Sequence, residues 1–172
     1  ETQDPQAAWR TVQPLVQGVL GVTPELELAE RAARAAGDPA ADALKARLQS
    51  PALREQMQLS GMGQGAQSRG DWQGAYAAWQ KLSLLGSDAE VFKRLAYTAS
   101  NLGKHAEAVA AADKAMALDP GNAEIVHMAG LVRYNGRIDM AKAVVLLRQA
   151  SAALPANEAF KADVAKAEAA TG

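Results

Sequence analysis

Apolar and polar positions follow the period of a helix along this chain, and proline and glycine cut the segments that carry it. Near the N-terminus one device recurs, a capping residue followed by proline, in Asp4-Pro5, Thr23-Pro24, Asp38-Pro39 and Ser50-Pro51. The cap side chain accepts from N–H groups that a first helical turn leaves orphaned, and proline suits the first helical position because its N–H is not needed there. Helix starts near residues 5, 24, 39 and 51 are therefore expected. Gly21 and Gly37 stand where a left-handed residue would close a helix. Pro14 should kink or split the first segment. Residues 24–36 and 39–49 then read as a helical hairpin. Leu26, Leu28, Ala29, Ala32 and Ala33 form one stripe, and Ala43, Leu44, Ala46 and Leu48 form its partner.

Beyond residue 51 the pattern repeats. Gly70, Gly103 and Gly136 are spaced 33 and 33 residues apart, each between two apolar-periodic segments. Before them run Leu59, Phe92 and Val126, then Gly63, Ala96 and Gly130; after them run Ala75, Ala108 and Ala143, then Trp79, Ala112 and Leu147. Large and small positions recurring at this period mean helix, turn at glycine, helix, second turn, three times over. Pro120 and Pro155 close the second and third units. Helices that cross closely need a missing side chain at the contact, which the Gly and Ala positions supply and the large residues fill. Residues 157–172 read as a lid for the last exposed face, with Asn157 as cap and Phe160, Val164 and Ala167 as a stripe.

These features resemble the tetratricopeptide repeat (TPR) family, whose unit carries small residues at its positions 8, 20 and 27. Residues 56–88 supply Gly63 and Ala75, with Leu82 at the last small position; residues 89–122 supply Ala96, Ala108, Ala115 and Pro120; residues 123–156 supply Gly130, Ala143, Ala150 and Pro155. The third repeat departs from the pattern. Gly136 precedes Ala143 by seven residues where the other two units show five, so a longer or distorted turn is expected, and Arg133 stands at a usually apolar or aromatic position. The resemblance implies an all-α, right-handed superhelix of three helical hairpins over residues 51–156, with extra N-terminal helices over 1–50 and a capping helix, in one continuous domain. It also implies that positions 2, 5, 9 and 12–13 of each first helix face a concave groove. Here they are Met57, Ser60, Gln64 and Gln67, then Glu90, Lys93, Tyr97, Ser100 and Asn101, then Glu124, His127, Leu131, Tyr134 and Asn135. Gln64, Lys93, Tyr97, Ser100, Asn101, His127, Leu131 and Tyr134 are the candidate partner-binding residues. Amides, aromatics and few charges suit an extended peptide or a helix, with the tyrosines as anchors. The two-carboxylate clamp of some family members needs several cations, and only Lys93 and Arg94 are candidates.

Composition narrows the chemistry. Forty of the 172 residues are alanine, which suits closely packed helices, and the formal net charge of −1 provides no basic field for nucleic acid. With no cysteine, disulfides, thiolate metal sites and thiol nucleophiles are excluded. No apolar run approaches the roughly 20 residues of a membrane span. The stretch Gly61–Gly70 is glycine-rich but lacks both the Gly-x-Gly-x-x-Gly spacing and the Lys-Ser/Thr ending of phosphate loops. Gly61 and Gly65 instead make this the softest expected helix. The two histidines, His105 and His127, show no metal spacing; His105 reads as a ring packed at a turn, His127 as a groove residue.

No catalysis, cofactor or metal is therefore expected. The chain reads as an adaptor that binds a peptide or helical segment of a protein partner in its groove and supports a larger assembly, of the cell-envelope or secretion kind found among bacterial family members. A secretion-type chaperone for an unfolded client and a self-assembling scaffold are the rivals, and a homo-oligomer stays open. The chain begins at Glu1 without a leader pattern, as expected of a processed or trimmed form, and its compartment is left open.

Overall fold

The structure is a computed structural model describing residues 4–16, 23–86 and 88–172, and all of its regular elements are helical. They are α1 (Pro5–Val12), a 3₁₀ turn (Gln13–Val16), α2 (Thr23–Ala35), α3 (Ala40–Leu48), α4 (Pro51–Ser68), α5 (Trp72–Leu85), α6 (Ala89–Asn101), α7 (His105–Leu118), α8 (Ala123–Gly136), α9 (Met140–Ala153) and α10 (Glu158–Ala169). Glu1–Gly61 and Met62–Gly172 pack as two compact units, and the division falls within α4 rather than at the α3–α4 turn.

In the first unit each helix starts within one residue of its proline signal, although Thr23 is itself the first residue of α2 and α3 begins at Ala40. Asp4 caps α1, Ser50 Oγ accepts from the Leu53 N–H at 3.2 Å, and the helix gives way to a 3₁₀ turn at Pro14. The predicted Gly21 stop lies outside the described residues. Asp38 does two jobs. One carboxylate oxygen accepts from the Ala40 N–H at 2.8 Å, capping α3, and the other accepts from the Trp9 indole N–H at 2.9 Å, pinning α1 to the α2–α3 turn. Around Trp9 gather Val12, Val16, Leu26, Ala29, Ala33, Leu44 and Leu53. Two stripe assignments need correction. Leu28 is exposed, as are Ala43 and Ala46, while Ala41 turns inward. At about 100° per residue, Leu28 lies nearly opposite Leu26, and the seams run through Leu26, Ala29 and Ala33 and through Ala41, Leu44 and Leu48.

The second unit holds the repeats. Part of α4 meets α5 through Gly63 and Gln67 against Trp79, α6 pairs with α7 and α8 with α9 to complete the three hairpins, and α10 packs on α9. Ala75, Ala108 and Ala143 are fully buried, as are Trp79, Leu82 and Leu147. The helices touch where side chains are missing. A Cβ added to Gly63 would lie 2.6 Å from the Trp79 ring, and one added to Gly130 would lie 2.8 Å from Leu147 Cγ and 3.1 Å from the Ala143 carbonyl oxygen. Asn157 caps α10, and Phe160, Val164 and Ala167 carry its contacts, as the stripe predicts.

The hairpin turns share one closure. An amide just past the helix end reaches the carbonyl five residues back: Asp71 to Ala66, Lys104 to Ala99 and Ile138 to Arg133, each at 2.9 Å. This is the Schellman pattern, which requires a left-handed residue just before that amide. Gly70 and Gly103 supply it with φ of 72° and 71°, and in the third turn Arg137 supplies it with φ of 52°. The expectation that Gly136 turns the chain is thus corrected. Gly136 is the last helical residue, and its missing side chain makes room for His105, whose Cβ would lie 2.7 Å from an added methyl carbon. The third turn is longer by one residue, between Arg137 and Ala143, not by two. Arg133 is buried, with Nη2 at 2.7 Å from both Asp113 carboxylate oxygens and Nη1 donating to the Ala129 carbonyl at 2.9 Å.

Two substitutions test this packing by urea unfolding. Gly130→Ala is expected to destabilise the fold by about 1–3 kcal/mol, since backbone as well as side chain blocks the methyl group. Arg137→Gly is expected to stabilise it by up to about 1 kcal/mol by relieving left-handed strain in a residue with a Cβ.

Candidate functional site

The first helices of the second and third repeats, α6 and α8, lie side by side and present a groove. On α6 the residues Lys93, Tyr97, Ser100 and Asn101 recur at helical spacing, so one face carries them all. On α8 the matching face carries Met128, Leu131, Val132 and Asn135. Tyr97, Ser100 and Asn101 join these four around a depression of about 320 Å³. A second depression of about 250 Å³ adjoins it, lined by Gln67, Glu90, Lys93, Arg94, Tyr97 and Met128. Tyr97 and Met128 line both.

The tyrosine is held ready. Its ring meets Trp72 edge to face, with centroids 5.5 Å apart and planes at 82°, while 38% of the residue stays exposed. Trp72 comes from α5, so the first hairpin positions the anchor of the second. The Asn101 amide donates to the Tyr97 carbonyl at 2.9 Å.

The charged end is closed on itself. Lys93 Nζ lies 2.7 Å from Glu90 and 3.1 Å from Glu124, and Arg94 Nε lies 2.8 Å from Glu90. The Arg94 guanidinium also sits 5.3 Å from the centre of the Trp79 ring. Burial acts to lower the Lys93 pKa, but the two carboxylates together outweigh it and hold the ammonium above the ordinary lysine range. Lys93 therefore lines the groove as a paired ion.

Five of the eight residues singled out from the sequence thus line the two depressions: Lys93, Tyr97, Ser100, Asn101 and Leu131. Gln64 is exposed on α4 and lines neither. His127 and Tyr134 belong elsewhere, because α10 covers them. The His127 ring stacks on Phe160 with centroids 3.9 Å apart and planes within 6°, and its Nε2 lies 3.1 Å from Asp163 Oδ2. Tyr134 is half-buried and packs with Val164 of α10 against Val144, Leu147 and Ala167. The C-terminal helix occupies the flank of α8 that a following repeat would fill. Met128 and Val132, absent from the residues that the sequence singles out, obey the same geometry. The face of α8 toward α6 runs through 128, 132 and 135, a stripe at i, i+4 and i+7. Among the described residues no cluster of three or more His, Asp or Glu side chains could hold a metal ion, and no helix is long and apolar enough to cross a membrane.

Comparison of the backbone adds a relative in fold. The structure of PcrH in complex with the chaperone binding region of PopD matches with a TM-score of 0.55 at 24% sequence identity, over 66% of this chain and 85% of that one. The fold is a tetratricopeptide-like helical repeat. No protein-family model matches the chain, and no curated protein matches it in sequence. The TPR-like architecture rests on backbone geometry together with the periodic glycines and alanines.

The cap helix carries a pH prediction. Burial pushes the His127 imidazole below its ordinary value of 6.5, and the Asp163 carboxylate opposes the shift without cancelling it. Asp163 is also held by Lys166 at 2.9 Å. The unfolded chain then binds the proton more readily than the folded one. The stabilisation is complete above 6.5 and is lost as pH falls below it, through the lowered folded value. Urea unfolding at about pH 7.5 and about pH 5.5 is expected to show a smaller acid loss of stability in His127→Gln than in the wild type.

Proposed function

We propose that this protein is a non-catalytic binding module that holds a segment of a partner polypeptide in the groove between α6 and α8. The observation that carries the reading is the convergence of Tyr97, Ser100, Asn101, Met128, Leu131 and Asn135 on adjoining depressions along two parallel faces. An exposed tyrosine braced by a tryptophan, apolar floor residues and uncharged hydrogen-bonding groups are what a docked segment needs. In this reading the protein is an adaptor that helps assemble a larger complex. A chaperone role toward an unassembled client is the second reading. It is favoured by the likeness of fold to PcrH, whose structure contains a chaperone binding region of PopD.

Affinity capture with the wild type beside Tyr97→Ala and Leu131→Asp tests the site. Tyr97→Ala is expected to weaken the partner by about 2 kcal/mol, or about thirtyfold in Kd, with helicity by circular dichroism unchanged. A partner held equally by all three proteins would remove function from the groove. Co-expression separates the roles, because a chaperone raises the soluble yield of its client, whereas an adaptor leaves that yield as it was.

A further inference from the structure

The chemistry of the groove restricts its occupant, and this step rests on the groove being the binding site. Three charged side chains line the depressions, Glu90, Lys93 and Arg94, and each already lies within ion-pair distance of an opposite charge. Lys93 is held between Glu90 and Glu124, and Arg94 between Glu90 and the face of Trp79. Two cations and two carboxylates cancel within the protein itself. A partner carboxylate approaching Lys93 meets Glu90 and Glu124 around the same ammonium. A partner ammonium approaching Glu90 meets Lys93 and Arg94. In either case the newcomer gives up its hydration and must displace a formed pair, with no net gain in pairing. The other end of the groove has no charge to offer. Ser100, Asn101 and Asn135 supply hydroxyl and amide groups above the apolar Met128, Leu131 and Val132.

The shape adds a second restriction. Tyr97 and Met128 are shared by both depressions, so an occupant that fills both must contact these two side chains. From Lys93 to Ser100 the groove runs two turns along α6, about 10 Å. We infer that the groove takes an uncharged, internal stretch of a partner polypeptide, seating two apolar side chains about 10 Å apart, one in each of the depressions that share Tyr97 and Met128, and that it rejects charged stretches and free chain ends. The rejection comes from the protein's own ion pairs. Affinity for the right segment therefore does not depend on salt, since no net charge is neutralised on binding.

The test uses the full chain and fluorescein-labelled peptides, blocked at both ends, that carry two leucines in a glutamine–serine background at a range of spacings. Matched versions place glutamate or lysine beside each leucine, and one version has a free C-terminus. In anisotropy titrations the best neutral peptide is expected to bind with a Kd that changes by less than about twofold between low and high salt. The glutamate, lysine and free-carboxylate versions are expected to bind at least about tenfold more weakly. Lys93→Met strips the counter-charge from Glu90 and Glu124, and is expected to move the preference toward the lysine peptide, relative to the neutral one, by about tenfold. Failure of every neutral peptide to bind, a tenfold loss of neutral binding in salt, equal or tighter binding of a charged version, or an unmoved preference in Lys93→Met would each overturn the inference. Leu131→Asp separates the two levels. If neutral peptide binds it as well as it binds wild type, the groove itself is the wrong site. If binding is lost there but charged peptides are preferred by wild type, the groove stands as the site and only its preference for uncharged segments falls.

Discussion

Close approach of paired helices, at positions where a side chain is missing, is the constraint on which the repeat packing depends. Gly63 lies under the Trp79 ring and Gly130 under Leu147, at distances that no added methyl could share. Fully buried Ala75, Ala108 and Ala143 keep the second helix of each hairpin equally near. An alanine-rich chain has little apolar area per residue to bury, so it gains its cohesion from many short contacts. The groove is a by-product of the same economy. The hairpins fix α6 and α8 side by side, and Tyr97 and its neighbours line the depression left between them.

The buried charge at which the third hairpin departs from the sequence pattern is matched. Arg133 enters the core with its charge, and Asp113 of α7 meets it with both carboxylate oxygens, so the odd residue ties α8 to the preceding repeat. Such a pair adds little net stability over a well-packed apolar one, but removing Asp113 strands the buried Arg133 charge. Thr98, fully buried, donates its hydroxyl to the carbonyls of Arg94 and Leu95 within its own helix.

Much of this architecture was legible because it rests on local rules. Caps at Asp4, Ser50 and Asn157, the small residues at helix crossings and the glycines at two turns all act over a few residues. The features that escaped depended on neighbours distant in sequence. Nothing near His127 or Tyr134 announces that α10, some thirty residues on, will lie over them. Trp9 gives no local sign that its indole will find Asp38. The spacing of Gly136 misled for a related reason. A glycine's use depends on whether the chain turns there or another helix presses against it, and His105 presses here. Lys93 was legible as a groove residue, but its pairing needed Glu124 from the next repeat.

The shared closure of the turns bears on how such a chain can change length. Each hairpin ends its first helix with the same pair of hydrogen bonds, whether glycine or Arg137 supplies the left-handed residue. The bonds are made to that helix alone, so the exit direction of the chain is set afresh each time and owes nothing to the second helix. The residue inserted between Arg137 and Ala143 is taken up before α9 begins, and Ala143, Leu147 and Ala150 still fall in phase with their counterparts. Insertions and deletions at these corners are thereby insulated from the helices on either side, and successive repeats can drift in length while keeping a common lattice of contacts.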